Sequence, residues 1–94
     1  MLTAQSSVNS DKAVAYLKKF CRHFAHKLPT EFDDDSGYVD FPFGDCRLIS
    51  QNNQLTFSVE AETEEALAKL EDVVARHMER FAFREGITLT WVRQ

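Results

Sequence analysis

The chain has 94 residues, long enough for a single domain spanning residues 1–94 and too short for two. Hydrophobic residues make up 44%, with eight Phe, so a packed core is within reach. The net charge of −4 argues against nucleic acid as a partner, and no apolar run approaches the roughly 18–20 residues needed to span a bilayer.

The opening MLTAQSSVNS lacks a basic region followed by an apolar segment, so no secretion signal is expected. Two cysteines, Cys21 and Cys46, are too few for a disulfide scaffold, and the chain reads as cytoplasmic with reduced thiols.

Residues 3–8 read as a first strand, given the pattern that follows. Asn9 and Ser10 are good N-caps and Asp11 suits a first turn, so a helix is predicted from there to about Lys27. Val14, Leu17, Cys21, Phe24 and Leu28 recur at helical spacing as one apolar seam. Lys12, Tyr16, Lys19, His23, His26 and Lys27 take the opposite side. Pro29 ends the helix by pushing Leu28 out of the helical region. Residues 11–28 hold five Lys or Arg and one acid, while residues 31–35, Glu-Phe-Asp-Asp-Asp, follow at once. A basic helix beside an acidic loop is the reading.

Residues 38–44 are extended, and Pro42 argues against a central strand there. Residues 46–50 and 54–60 are strands around a turn at Gln51, Asn52 and Asn53. Leu55, Phe57 and Val59 alternate with Thr56, Ser58 and Glu60, which predicts one buried and one wetter face.

Thr63 is the expected N-cap of a second helix over residues 63–86, with Glu64 and Glu65 in its first turn and Gly86 past its end. Glu65 with Lys69 and Asp72 with Arg76 have favourable i, i+4 spacing. On a wheel of about 100° per residue, His77 falls at the centre of an apolar stripe of Ala66, Leu70, Val73, Val74 and Phe81, with Arg80 at the rim. Ile87, Leu89 and Trp91 then alternate with Thr88, Thr90 and Val92 as a final strand.

The order is β-α-β-β-α-β. It predicts an α+β two-layer sandwich of ferredoxin-like type, an antiparallel sheet with both helices on one face. An αβββαβ sandwich follows if residues 3–8 do not pair. The expected core contains Leu17, Cys21, Phe24, Leu55, Phe57, Leu70, Val74 and Leu89.

The metal-capable side chains are Cys21, His23, His26, Cys46 and His77. They match no zinc spacing, Cys21 and His23 lie on opposite sides of their helix, and at most three ligands could converge, so no metal site is expected. No nucleophile elbow or Gly-rich phosphate loop is present, and no cofactor is implied.

Tyr16-Leu17, the run from Cys21 to Lys27 (CRHFAHK), the block EDVVARHMERF ending at Phe81 and the closing Thr90-Trp91 together resemble a bacterial family catalogued as domain of unknown function 2218. The resemblance runs from about Val8 to Arg93, and its most specific part is H-x-E-R-F at residues 77–81. It implies small stand-alone bacterial proteins, and domains attached to siderophore-interacting flavin reductases. It implies no established activity. The motif positions it carries over are His23, Lys27, His77, Glu79, Arg80 and Trp91.

Two functions are expected from different classes. One is a non-catalytic binding or accessory module, tied to iron–siderophore handling, in which Lys19, His23, His26, Lys27, Glu79 and Trp91 meet an anionic small molecule or an acidic protein partner. The other is a small enzyme using His77, beside Arg80, as general acid or base. The module is favoured, because two helices on one sheet face leave little room for a deep pocket. The basic face of the first helix should hold the His23 pKa down, unless acids at residues 33–35 neutralise it.

Overall fold

A computed structural model describes residues 1–94. In chain order the elements are β1 (Leu2–Asn9), α1 (Ala13–Ala25), β2 (Thr30–Phe32), β3 (Ser36–Phe41), β4 (Gly44–Gln51), β5 (Gln54–Ala61), α2 (Glu64–Phe81), a 3₁₀ turn (Phe83–Glu85) and β6 (Val92–Arg93). The six strands form one sheet in the order β2-β3-β4-β5-β1-β6, every neighbouring pair antiparallel.

Each long strand buries alternate residues only. Ala4, Ser6 and Val8 of β1, Val39 and Phe41 of β3, Cys46 and Leu48 of β4, and Leu55, Phe57, Val59 and Ala61 of β5 are buried. Their neighbours in sequence form a solvated face, where Ser7 meets Thr56 at 2.9 Å and Gln5 meets Ser58 at 3.2 Å. Both helices therefore cover the same face. α1 lies over β2, β3 and β4, α2 over β1 and β5, and α1 meets the C-terminal part of α2. The core expected from the sequence holds at every position: Leu17, Cys21, Phe24, Leu55, Phe57, Leu70, Val74 and Leu89 are all buried.

The fold is α+β with two helices on one face of an antiparallel sheet, as expected. The four-stranded ferredoxin-like order is not what the sheet shows, because two further strands come from segments read as loop and edge. Residues 30–37, read as an acidic loop, supply β2 and a tight turn in which Asp33 Oδ1 accepts from the Asp35 and Ser36 amides at 2.8 Å each. Residues 38–41 belong to β3, which is central, between β2 and β4. Pro42 does not prevent this, because the strand ends at Phe41 and Pro42 sits in the turn before Gly44.

At the other hairpin, Asn52 and Asn53 have φ of 52° and 61°, the left-handed pair that a two-residue turn needs to match the strand twist. The final strand is shorter than expected. Residues 87–91 are unpaired, and only Val92 and Arg93 join β1, opposite Gln5 and Ala4. The alternation seen there reflects burial of Leu89 and part-burial of Ile87 and Trp91 beneath α2, not a ladder.

Four helix assignments also change. Val14, expected in the apolar seam, is 41% exposed, whereas Tyr16, expected on the polar side, is buried. The buried arc of α1 is rotated toward α2 to meet it. His77 is at the edge of the α2 stripe rather than its centre. Leu67, Leu70, Val74 and Met78 are the fully buried residues, and Met78 pulls the buried axis roughly 60° from His77. Thr63 caps α2 as expected, accepting from the Ala66 amide at 3.1 Å, and Asp72 pairs with Arg76 at 3.3 Å. Lys69 leaves Glu65 and lies 4.5 Å from the centre of the Phe43 ring. No helix is long and apolar enough to cross a membrane.

Two substitutions test this packing. Leu70→Ala should destabilise the protein by roughly 2–5 kcal/mol in a denaturant melt, since it opens a cavity under α2. Gly44→Ala should cost about 1–3 kcal/mol by overpacking: Gly44 has φ of 155°, and an added Cβ would meet the Glu60 carbonyl at 2.4 Å and Leu70 at 2.9 Å. A wild-type melting profile from either variant would contradict this packing.

Candidate functional site

The site is the outer seam between α1 and α2. The helices are antiparallel, so residues ascending α1 meet residues descending α2. At one end the Tyr16 hydroxyl donates to Glu85 in the 3₁₀ turn, and Ser10 Oγ donates to the same carboxylate at 3.0 Å. The Tyr16 pKa is pushed up to about 12, chiefly by the Glu85 hydrogen bond, and the same bond holds Glu85 below its ordinary value. One turn along, Lys19 Nζ lies 5.4 Å from the centre of the Phe81 ring. Another turn along, His23 faces His77 with ring centres 5.0 Å apart and planes tilted by 51°.

Aromatic rings fix that pair. His23 packs edge-on against Phe24 at 4.9 Å and Phe81 at 5.5 Å. His77 lies 4.9 Å from Phe24, which in turn rests on Phe41 of β3 at 4.9 Å. The His77 Nδ1 lies 2.7 Å from the Val73 carbonyl. A carbonyl only accepts, so Nδ1 carries the hydrogen there, and Nε2 is the nitrogen left for other partners. It is the only hydrogen bond either ring makes.

The electrostatics are one-sided. Burial lowers the His23 pKa below its ordinary 6.5, and His77, Lys27, Arg80 and His26 all push it further down. The acids at residues 33–35 do not neutralise this face. Asp34 pairs with Lys18, which lies on another side of α1, and Asp33 is spent on the β2–β3 turn. Lys19, Lys27 and Arg80 have no carboxylate within ion-pair distance.

The structure thus gathers six expected residues in one place: Lys19, His23, His26, Lys27, His77 and Arg80. It separates the other two. Glu79 lies on the far side of α2, where its carboxylate accepts from the Leu89 amide at 3.2 Å. Trp91 packs half-buried near β6 with its indole N–H unpartnered, and continuing the β1–β6 register by one residue brings it level with Ser6, whose hydroxyl is also buried and unpartnered. The wheel put His23 and His26 on the polar side of α1, Cys21 in its apolar seam and His77 at the centre of the α2 stripe. The structure pairs His77 with His23 instead, because His77 sits at the edge of its stripe and so meets the flank of α1 rather than its buried centre. The aromatic walls Phe24, Phe41 and Phe81 were not singled out as site residues. Phe24 and Phe81 had a sequence signal, as members of CRHFAHK and H-x-E-R-F; Phe41 had none.

No group of three or more His, Cys, Asp or Glu is arranged to hold a metal ion. Burial pushes the Cys21 thiol to about 11 and Cys46 well above its ordinary value, so neither is a ready thiolate. The principal clefts lie elsewhere. One of about 470 Å³ is lined by Phe41, Pro42, Phe43, Ala61 and Thr63 with Asp40, Asp45 and Glu62. The other two lie on the open face of the sheet, around Arg47.

Comparison with known proteins agrees with this architecture. The solved NMR structure of PA4090 from Pseudomonas aeruginosa has a TM-score of 0.82 to this chain at 28% sequence identity, covering 98% of this chain and 96% of that one. No curated protein matches the sequence. A family model described as an uncharacterized protein conserved in bacteria, DUF2218, matches residues 5–92, and a match over nearly the whole length means that the chain belongs to that family.

Proposed function

We propose that this chain is a non-catalytic binding module that takes up an anionic group in the α1–α2 seam. The observation that carries the reading is the His23–His77 pair, 5.0 Å apart, beside Lys27 and Arg80 and without a carboxylate. Imidazole nitrogens without partners and cations without counter-ions are what an incoming anion satisfies. An acidic segment of a protein or a small carboxylate or phosphate fits this chemistry. A narrower form takes an iron–siderophore as the ligand, with its own carboxylate or catecholate groups as the anion; the family resemblance is what supports it.

A second reading, an enzyme with His77 as general base, is favoured by one feature: the Val73 carbonyl fixes the tautomer and leaves Nε2 available. Against it, none of the principal clefts is lined by His77.

NMR titration of the histidine ring protons tests the binding reading. In the free protein His23 should half-titrate below 6.5. Citrate, phosphate or a catecholate siderophore should raise that value, and Arg80→Ala should weaken the effect several-fold. If no anion moves the His23 or His77 signals, the seam is only a solvated face. The linkage has a definite sign. A histidine whose charged form is disfavoured in the fold is protonated first in the unfolded chain, so stability falls as pH drops through 6.5 toward the native value. The difference in melting temperature between wild type and His23→Gln should therefore shift in favour of the variant between about pH 7 and pH 5.

A further inference from the structure

We propose that anion binding in this seam is proton-coupled: His23 takes up one proton from solvent as an oxyanion docks against the outer edges of the His23 and His77 rings, beside Arg80. The inference rests on the anion-binding reading and adds the regulation of that site.

The argument starts from what surrounds His23. On its own helix the charged neighbours are Lys27 and His26, and from α2 come His77 and Arg80. Lys19 lies over Phe81, which packs edge-on to the His23 ring. β3 reaches the pair only through Phe41 behind Phe24, so the sheet supplies no charge there.

No acid on the adjoining elements reaches the pair: Glu64 and Glu65 lie in the first turn of α2, about three turns from His77, Asp40 of β3 is on the opposite face of the sheet, and the nearer acids are engaged elsewhere. Glu85 of the 3₁₀ turn holds Tyr16 and Ser10. On α2, Glu71 holds Arg93, Asp72 pairs with Arg76 and Glu79 accepts from the Leu89 amide. Asp34 pairs with Lys18. No carboxylate pairs with His23, so in the free protein its charged form is disfavoured and its pKa lies below the ordinary 6.5.

A docked oxyanion reverses that balance. It brings negative charge to the place where positive charge was disfavoured, and it accepts the hydrogen bond that protonation creates on the His23 ring. Binding and proton uptake then favour one another by the same factor, as linkage requires. The ring packing holds His23 in place for this. Phe24 and Phe81 pin the imidazole edge-on, so protonation changes its charge without having to reorder the side chain.

The probe is sulfate, whose own charge is constant over the range used, with succinate alongside to separate a tetrahedral from a carboxylate requirement. Affinity is measured by calorimetry from about pH 5.5 to 8 at fixed ionic strength, in two buffers of different ionisation enthalpy so that proton uptake is read directly. For sulfate, the dissociation constant should rise with pH between the free and the anion-bound His23 values, approaching about tenfold per pH unit where the two are well separated, the slope for one linked proton. Proton uptake per anion should peak between the free and the anion-bound His23 values and approach one where they are well separated. His23→Gln, at an exposed position where folding is not at risk, should bind more weakly and lose the slope. His77→Gln should bind more weakly and keep it. An affinity that does not change with pH overturns proton coupling while leaving the anion-binding reading intact. A slope that survives in His23→Gln overturns the assignment to His23. If neither anion binds at any pH, the anion-binding reading fails with it.

Discussion

The structure depends on the one-sidedness of its sheet. An antiparallel sheet can leave one face to water if that face is polar, and this one does. Ser7 bonds Thr56, Gln5 bonds Ser58 and the Arg47 guanidinium lies 4.7 Å from the Tyr38 ring, all on the solvated side. The apolar side then has to receive both helices. It is just wide enough for two to lie side by side, α1 on β3 and β4 and α2 on β1 and β5. An outer seam between them follows of necessity, and every feature of the candidate site is a consequence of what flanks the buried arcs of those two helices.

The seam is graded from one end to the other. Where Tyr16 and Ser10 meet Glu85, an acid is present and its hydrogen bonds are made within the chain. Where Lys19 meets Phe81, a cation is set against a ring. Where His23 meets His77, polar nitrogens and neighbouring cations have no acceptor beyond the Val73 carbonyl. Aromatic and imidazole rings suit such a position, since each buries an apolar edge and turns a polar atom outward. The same ring stack that anchors the pair to the core, His77 on Phe24 on Phe41, ties its geometry to the sheet.

Burial in strands and helices was legible in the sequence because it follows from period alone. Leu55, Phe57 and Leu70 could face only one way once their elements were recognised. Elements shorter than their own signal were not legible. β2 is three residues and β6 two, and their pairing is decided by neighbours far away in the chain. Pro42 misled for a related reason: its position relative to the strand end, not its presence, decides whether the ladder survives, and a boundary is the least certain part of a pattern. The pairing of His23 with His77 was hidden because a wheel describes one helix at a time. Its partner was determined by how far Met78 turns α2 and Tyr16 turns α1, which only the packed pair reveals.

The distribution of charge bears on binding against catalysis. The chain is acidic overall, yet the seam collects cations at Lys19, Lys27 and Arg80 that pair with no carboxylate. Lys19, His23 and Lys27 repeat at i, i+4, a spacing at which a charged His23 would be opposed from both sides by a few tenths of a kcal/mol each, one reason its charged form is disfavoured. An open, rigid strip carried on two helices is poorly suited to chemistry, which needs water excluded and reacting atoms enclosed. It is well suited to holding an anion, which needs only converging donors fixed in place. The Val73 carbonyl and the Phe24 ring set one imidazole, Phe81 and Phe24 the other, so the donors are in position before any ligand arrives. On the proposed reading, a neutral or cationic group would gain nothing in the seam, whereas an anion would bring negative charge to the place where a charged His23 is otherwise disfavoured.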